Sequence, residues 1–272
     1  MISAAQLVGT HDVLLITLDT LRYDVAVQAL QSGQTPLLAS ILPGGVWEER
    51  HSPGSFTYAA HQAFFAGFLP TPARPGRHPR LFAARFPGSE TTTEATYVFD
   101  APDIVTGLAQ SGYHTICIGG VGFFNKMSPL GCVLPSLFAK SYWSPELGVT
   151  APTSTRNQID WALQAIDDVE LHQKVFLFLN VSALHQPNYF YLDGATEDSP
   201  QSQAAALAYV DRCLPPLLTR LRSRGALLGI ICSDHGTAYG EDGYWGHRVC
   251  HPVVWTVPYA EFVLPGDQEA VP

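Results

Sequence analysis

Charged residues are scarce in this chain of 272 residues: Asp, Glu, Lys and Arg make up only 14%. The 15 basic side chains are outnumbered by 24 acidic ones, a formal net charge of −9 at pH 7. That balance gives no support to a nucleic-acid-binding surface. A small anionic molecule stays within reach if a metal ion or a few local Arg and Lys reverse the field. Cysteine is sparse as well. The five present, Cys117, Cys132, Cys213, Cys232 and Cys250, form no CxxC pair, so neither a disulfide framework nor a thiolate zinc site is indicated. No apolar stretch approaches the roughly 20 residues that a membrane span needs. The opening MISAAQLVGTHD has neither a basic n-region nor a long apolar h-region. These absences make the reducing cytoplasm the expected location, with no membrane partner. Residues 119–124, GGVGFF, are Gly-rich but match neither GxGxxG nor GxxxxGK[ST], so no nucleotide loop is predicted. Repeats, low-complexity tracts and linkers are missing too, which leaves one domain over residues 1–272.

Apolar sequence is plentiful, at 46% of the chain, and it falls in short unbroken runs. Residues 13–19 (VLLITLD), 114–120 (HTICIGG), 174–182 (KVFLFLNVS) and 226–234 (ALLGIICSD) read as strands buried on both faces, as in a parallel sheet. Helical patterns lie between them at 24–31, 35–42, 58–66, 102–111, 153–170 and 200–224. Pro215–Pro216 kinks or splits the last. A final strand is predicted at about 253–264. This alternation predicts an α/β fold, a three-layer sandwich around a mostly parallel central sheet. The segment 70–93, with Arg74, Arg77, Arg80 and Arg85, reads as a solvated loop, the other reading being a basic flap over an anionic substrate.

Two of the predicted strands end on a carboxylate, Asp19 and Asp234, and a third runs on to His185. Ligands collect at the carboxyl ends of such strands. His235 follows Asp234 directly, and His247 and His251 come soon after. Oxygen and imidazole ligands together suit Zn²⁺ or Mn²⁺ better than Ca²⁺. Each residue alone has a plainer reading: Asp19 or Thr20 as a helix cap, Asp-His-Gly as a turn, His251 as a loop residue.

The order of these segments resembles the alkaline phosphatase/sulfatase superfamily. LLITLDTLRYD resembles its opening strand and first metal-binding Asp. SPGSFTYAAHQAFFAGFLP resembles its nucleophile segment, in which a Cys, Ser or Thr stands ten residues before a Gly; counting back from Gly67 gives Thr57. The SDHG at 233–236 resembles the segment carrying the second metal Asp and its His, and the HQP at 185–187 resembles a His-x-Pro near the bound anion. The resemblance implies one divalent metal, Zn or Mn, held by Asp19, Thr57, Asp234 and His235. Thr57 would be the nucleophile, with Ser55 the fallback, and the plainer reading of Thr57 is an N-cap. His185 and His247 would then bind the substrate anion or protonate the leaving group.

The chain also departs from the family pattern. Formylglycine sulfatases need Cys or Ser in a C/S-x-P-x-R setting, and here Thr57, Ala59 and His61 stand there. Phosphorus esters are therefore expected ahead of sulfate esters. The Asp-x-x-x-His pair of two-metal members is missing; Asn180, His185, His247 and His251 could serve a second metal or the substrate instead. His61, Arg22 and Lys126 are candidates for substrate contact, against packing for the first and surface ion pairs for the others. The expected activity is metal-dependent hydrolysis of phosphate mono- or diesters or phosphonates through a covalent phospho-threonine. The alternatives are a phospho-group transferase of the same superfamily and a catalytically inactive metal-binding partner protein. The expected partner is a small anionic substrate.

Overall fold

The computed structural model describes residues 2–67 and 103–267. The basic segment 70–93 and its four arginines lie outside them. Among the described residues nine strands follow one another: β1 (Asp12–Leu18), β2 (Glu48–His51), β3 (His114–Ile118), β4 (Lys140–Tyr142), β5 (Val175–Val181), β6 (Leu227–Cys232), β7 (Ala238–Tyr239), β8 (Trp245–Gly246) and β9 (Thr256–Leu264). Seven of them form one sheet in the order β2-β9-β6-β1-β5-β3-β4, and β7 and β8 make a separate hairpin. The run β6-β1-β5-β3-β4 is parallel throughout. Strand β9 pairs antiparallel with β6, and β2 antiparallel with β9.

Helices cover both faces, which explains the unbroken apolar strands: every residue of β5 is buried. On one face Leu14, Ile16 and Leu18 pack with Leu177, Leu179 and the helices Tyr23–Gln31, Ser154–Asp167, Pro200–Cys213 and Pro215–Arg224. On the other, Val13, Phe176, Phe178 and Leu228 meet Phe65, Val105 and Phe124. The chain is thus an α/β protein with a seven-stranded, mostly parallel sheet between helical layers.

The long helical pattern at 200–224 is two helices. Pro215 and Pro216 lack the N–H that a continuing helix needs, and Leu214 joins the pair. The segment at 253–264 opens with a helical turn, Pro252–Trp255, before β9 begins. Strands β2 and β4 are additions at the sheet edges. Thr20 is not the cap of the next helix, whose N-cap is Arg22. Its φ of +64° is unusual for a β-branched residue. Its N–H donates to Asp234 Oδ1 at 3.1 Å and its hydroxyl to the Leu184 carbonyl at 3.1 Å. One strained residue therefore ties together the loops that follow β1, β5 and β6.

Candidate active site and metal centre

Parallel pairing brings the carboxyl ends of β1, β5 and β6 to one edge, and the candidate ligands meet there. Asp19 follows β1 directly, and Asp234 and His235 lie just beyond β6. Each offers a ligand atom within 4.8 Å of the others, and all three are buried. Gly236 makes this approach possible: a Cβ there would stand 1.9 Å from the Val253 carbonyl oxygen, and its N–H donates to the Val254 carbonyl at 2.7 Å.

The hydrogen bonds sort the atoms of this cluster into held and free. Asp234 Oδ1 accepts from Thr20 N and from His235 N at 3.0 Å. Asp19 Oδ2 accepts from Asn180 Nδ2 at 3.0 Å. Among the described residues Asp19 Oδ1 and Asp234 Oδ2 have no hydrogen-bond partner although both are buried. His235 Nδ1 faces the Gly236 carbonyl at 2.8 Å. A carbonyl only accepts, so Nδ1 carries the proton and the Nε2 lone pair faces the cluster. Burial pushes the Asp234 carboxyl up to about 7. Burial, and then the charge of Asp234, push Asp19 up to about 6. Burial lowers His235. Two orphaned carboxylate oxygens and an imidazole lone pair, each disfavoured as a lone charge or left unsatisfied, fit a divalent cation.

Thr57 is the first residue of the helix Thr57–Ala66, whose N-cap is Phe56 and which ends on the left-handed Gly67. Its side chain makes no cap bond. Instead Oγ1 lies 3.3 Å from His235 Nε2, and the residue is 2% exposed. Backbone N–H groups of a helix's first turn have no intrahelical partner, so an anion at Thr57 meets the positive end of the helix. Thr57 also borders a cavity of about 320 Å³ that includes Val121, Phe123, Leu130, His185, His247 and Arg248. The fallback nucleophile Ser55 is not on that lining; its carbonyl accepts from Arg248 N at 2.8 Å.

His185 and His247 both line the cavity and meet edge-on, ring centroids 5.6 Å apart, and the His247 ring lies 4.7 Å from that of His235. His185 Nδ1 donates to the Gln186 carbonyl at 2.6 Å, which leaves Nε2 available. Burial, with His235, His185 and Arg248 adding like charge, lowers His247 to about 3. It is a neutral imidazole at pH 7.

Five other candidates stand elsewhere or do something else. The Asn180 side-chain amide is engaged within the protein: Oδ1 accepts from Val121 N at 3.0 Å, and Nδ2 donates to Thr17 and Asp19. It orients Asp19. His251 caps the Pro252–Trp255 turn through Val253 N and bonds Asp242 at 3.1 Å, apart from His185 and His247. His61 is fully buried beneath the site, Nδ1 on the Thr57 carbonyl at 2.8 Å and Nε2 on Thr17 Oγ1 at 2.9 Å. Packed against Phe124 and Phe178 and lowered by burial to about 3, it is a neutral strut between the helix and β1. Arg22 is buried between Asp24 and Glu241, its charge already matched. Lys126 Nζ bonds the Ser141 carbonyl at 3.0 Å and is absent from the cavity lining.

With this geometry in view, the chain can be set beside known proteins. The model of the sulfatase family matches residues 11–255. The chain belongs to the sulfatase family. Sulfatase-family proteins of the alkaline phosphatase superfamily are metal-dependent enzymes that transfer phosphoryl or sulfuryl groups, and this chain carries a candidate cluster for such a metal. No curated protein sequence matches it. Its fold is similar to that of the C-terminal periplasmic domain of phosphoethanolamine transferase EptC from Campylobacter jejuni, with a TM-score of 0.61 and 14% identity. That match covers 96% of this chain and 81% of the other. The corresponding domain of EcEptC from Escherichia coli, in complex with Zn, gives 0.60 and 12% over 96% and 75%. The lipoteichoic acid synthase LtaP from Listeria monocytogenes gives 0.62 and 12% over 93% and 65%. At such identities the likeness establishes the fold. It also corrects the expectation of a cytoplasmic location, because two of these three structures are periplasmic domains. Among the described residues no helix is long and apolar enough to cross a membrane.

Proposed function

We propose that this protein is a metal-dependent phospho-group transferase that passes the group through Thr57. The observation that carries the reading is the placement of Thr57 Oγ1 at a helix start, 3.3 Å from His235 Nε2 and beside two unsatisfied carboxylate oxygens. Asp19, Asp234, His235 and Thr57 would hold a single ion. Two carboxylates, one imidazole and one hydroxyl make a four-ligand set that favours Zn over Mn. When bound, the metal supplies a Lewis acid that makes the Thr57 hydroxyl more acidic and offsets charge on the substrate oxygens.

The rest belongs to the chain. The first turn of Thr57–Ala66 receives the anionic group of a small substrate on its N–H groups. The Thr57 hydroxyl gives up its proton and Oγ1 forms a bond to phosphorus as the ester oxygen leaves with its electron pair and takes up that proton. An acceptor oxygen then bonds phosphorus and displaces Thr57 Oγ1, which recovers the proton the acceptor releases. His185 Nε2, fixed by the bond of Nδ1 to Gln186, faces the departing and attacking oxygens. Neutral His247 accepts a hydrogen bond from a protonated substrate oxygen. Asn180 and the Thr17–His61 pair keep Asp19 and the helix in register.

Hydrolysis, the expectation from sequence, differs only in the acceptor, which would be water. The similar structures named as transferases favour an alcohol. The test is turnover of phosphate mono- and diesters by the Zn-loaded protein, with and without added alcohols. Transfer products from wild type and none from Thr57→Ala would support the reading. Product that is free phosphate alone at every alcohol concentration would make the protein a hydrolase. If wild type and Thr57→Ala were equally inert while both bound metal, the reading would fail.

A further inference from the structure

Arg248 has no role in the chemistry above, yet this exposed residue is tied by two contacts to the residues just before Thr57. It lines the same cavity as Thr57, His185 and His247, and among the described residues it is the one permanently charged side chain on that lining, with no carboxylate beside it. Its backbone sits at φ +69°, a region that non-glycine residues seldom adopt and that persists where surrounding structure enforces it. The enforcing contact is visible: Arg248 N–H donates to the Ser55 carbonyl at 2.8 Å, two residues before Thr57. Its guanidinium carbon lies 6.0 Å from the centre of the Phe56 ring, a contact that holds the cation by its face. Arg22, Arg50, Arg220, Arg222 and Arg224 each pair with a carboxylate. Among the described residues Arg156, Arg212 and Arg248 pair with no carboxylate, and of these three only Arg248 lines the cavity beside Thr57; its guanidinium donates no hydrogen bond. A planar fork of N–H donors matches the oxygens of a phospho group two at a time. The same lining carries the apolar side chains of Val121, Phe123, Leu130 and Val149, with Ser128 the one hydroxyl besides Thr57 among the described residues.

Resting on the transferase reading, we propose that Arg248 clamps the non-bridging oxygens of the phospho group at Thr57, while the apolar side chains of the lining take an uncharged organic group of the ester. A substrate whose organic part carries an ammonium group finds no counter-charge among the described residues of this lining.

The experiment uses the Zn-loaded wild type, Arg248→Ala and Arg248→Lys. Inorganic phosphate is titrated calorimetrically, and KM is measured for phenyl phosphate and for phosphoethanolamine. Losing a charge-assisted hydrogen-bond donor should weaken phosphate binding about 10- to 100-fold in Arg248→Ala. Arg248→Lys should recover part of that, with the melting temperature of both variants unchanged. Added guanidinium ion should restore part of the phosphate binding to Arg248→Ala, a rescue that a purely structural role would not show. Wild type should have a lower KM for phenyl phosphate than for phosphoethanolamine. Arg248-dependent phosphate binding in a protein that turns over no ester would uphold the clamp while the transfer reading falls. Phosphate binding and KM unmoved in Arg248→Ala, with Thr57-dependent turnover intact, would overturn the clamp alone. A lower KM for phosphoethanolamine would overturn the apolar half of the proposal.

Discussion

Replacing Asp234 with Asn should make the metal-free protein more stable and the metal-loaded protein less so. In the metal-free protein Asp234 is fully buried, and burial raises its carboxyl from 3.8 to about 7. Asp19 beside it rises to about 6. Native protein therefore holds more protons than unfolded chain between about pH 4 and 7, so metal-free stability is highest at the acid end of that window. It falls as pH rises through the two folded values and stays low above them. In Asp234→Asn the amide cannot ionise, so the variant lacks its share of that loss. The amide oxygen can still accept from Thr20 N and His235 N, as Oδ1 does in wild type. The amide nitrogen faces His235 Nε2, which stands 3.5 Å from Oδ2 in wild type. A rise of about three powers of ten is worth about 4 kcal/mol at ~1.4 kcal/mol each. The pair shares that cost, so the gain in the variant at pH 8 is on the order of 2–4 kcal/mol. For a chain of this size that is a rise of roughly 5–15 °C in melting temperature. Added metal reverses the order. Wild type gains about 2.7 kcal/mol at a hundredfold excess of metal over Kd, and the variant, short of one charged ligand, gains far less. The assay is thermal unfolding of both proteins at pH 5 and pH 8, after chelation and after Zn addition. The reasoning is refuted if the variant is the less stable protein after chelation at pH 8, or if Zn stabilises both equally.

Two further outcomes follow from neighbouring contacts. Asn180→Ala removes the donor that orients Asp19 Oδ2 and should weaken metal binding about 10- to 100-fold, read by competition with a chromogenic chelator; unchanged affinity would mean that Asn180 only supports the Val121 backbone. Gly236→Ala would place a Cβ 1.9 Å from the Val253 oxygen, so the post-β6 loop must move and the variant should lose several degrees of melting temperature together with metal binding.

Much of the sheet was legible because burial on both faces leaves a run such as 13–18 or 175–181 almost without polar residues. The edges were not. Strand β2 is Glu-Glu-Arg-His, exposed along its length, and exists only because β9 offers it a partner. Strand β4 has three residues, too few for any periodicity. The turn at Pro252 escaped notice because its cap is a His251 side chain rather than a usual capping residue. In the site, Asp19, Asp234 and His235 follow from strand ends that parallel pairing must bring together. The role of Asn180 depends on register: it stands opposite Thr17, two residues before Asp19, and no motif reveals that pairing. His61 sits one turn after Thr57, on the face of the helix that turns inward onto Phe124 and Phe178. Helical spacing placed it near the nucleophile without saying on which side. No motif marks Arg248; it follows His247 in sequence, and only the bond from its N–H to the Ser55 carbonyl shows that it stands beside Thr57.

The central claim is that Thr57 carries the group in transit. Zn-loaded protein is mixed with a phosphate ester donor, with no alcohol acceptor present, quenched in acid within seconds and mapped by peptide mass spectrometry. The account predicts a phospho adduct on the peptide containing Thr57, localised to that residue, lost on adding an acceptor and missing from Thr57→Ala. Steady turnover by wild type with no adduct at any quench time, or an adduct that persists in Thr57→Ala, would contradict it.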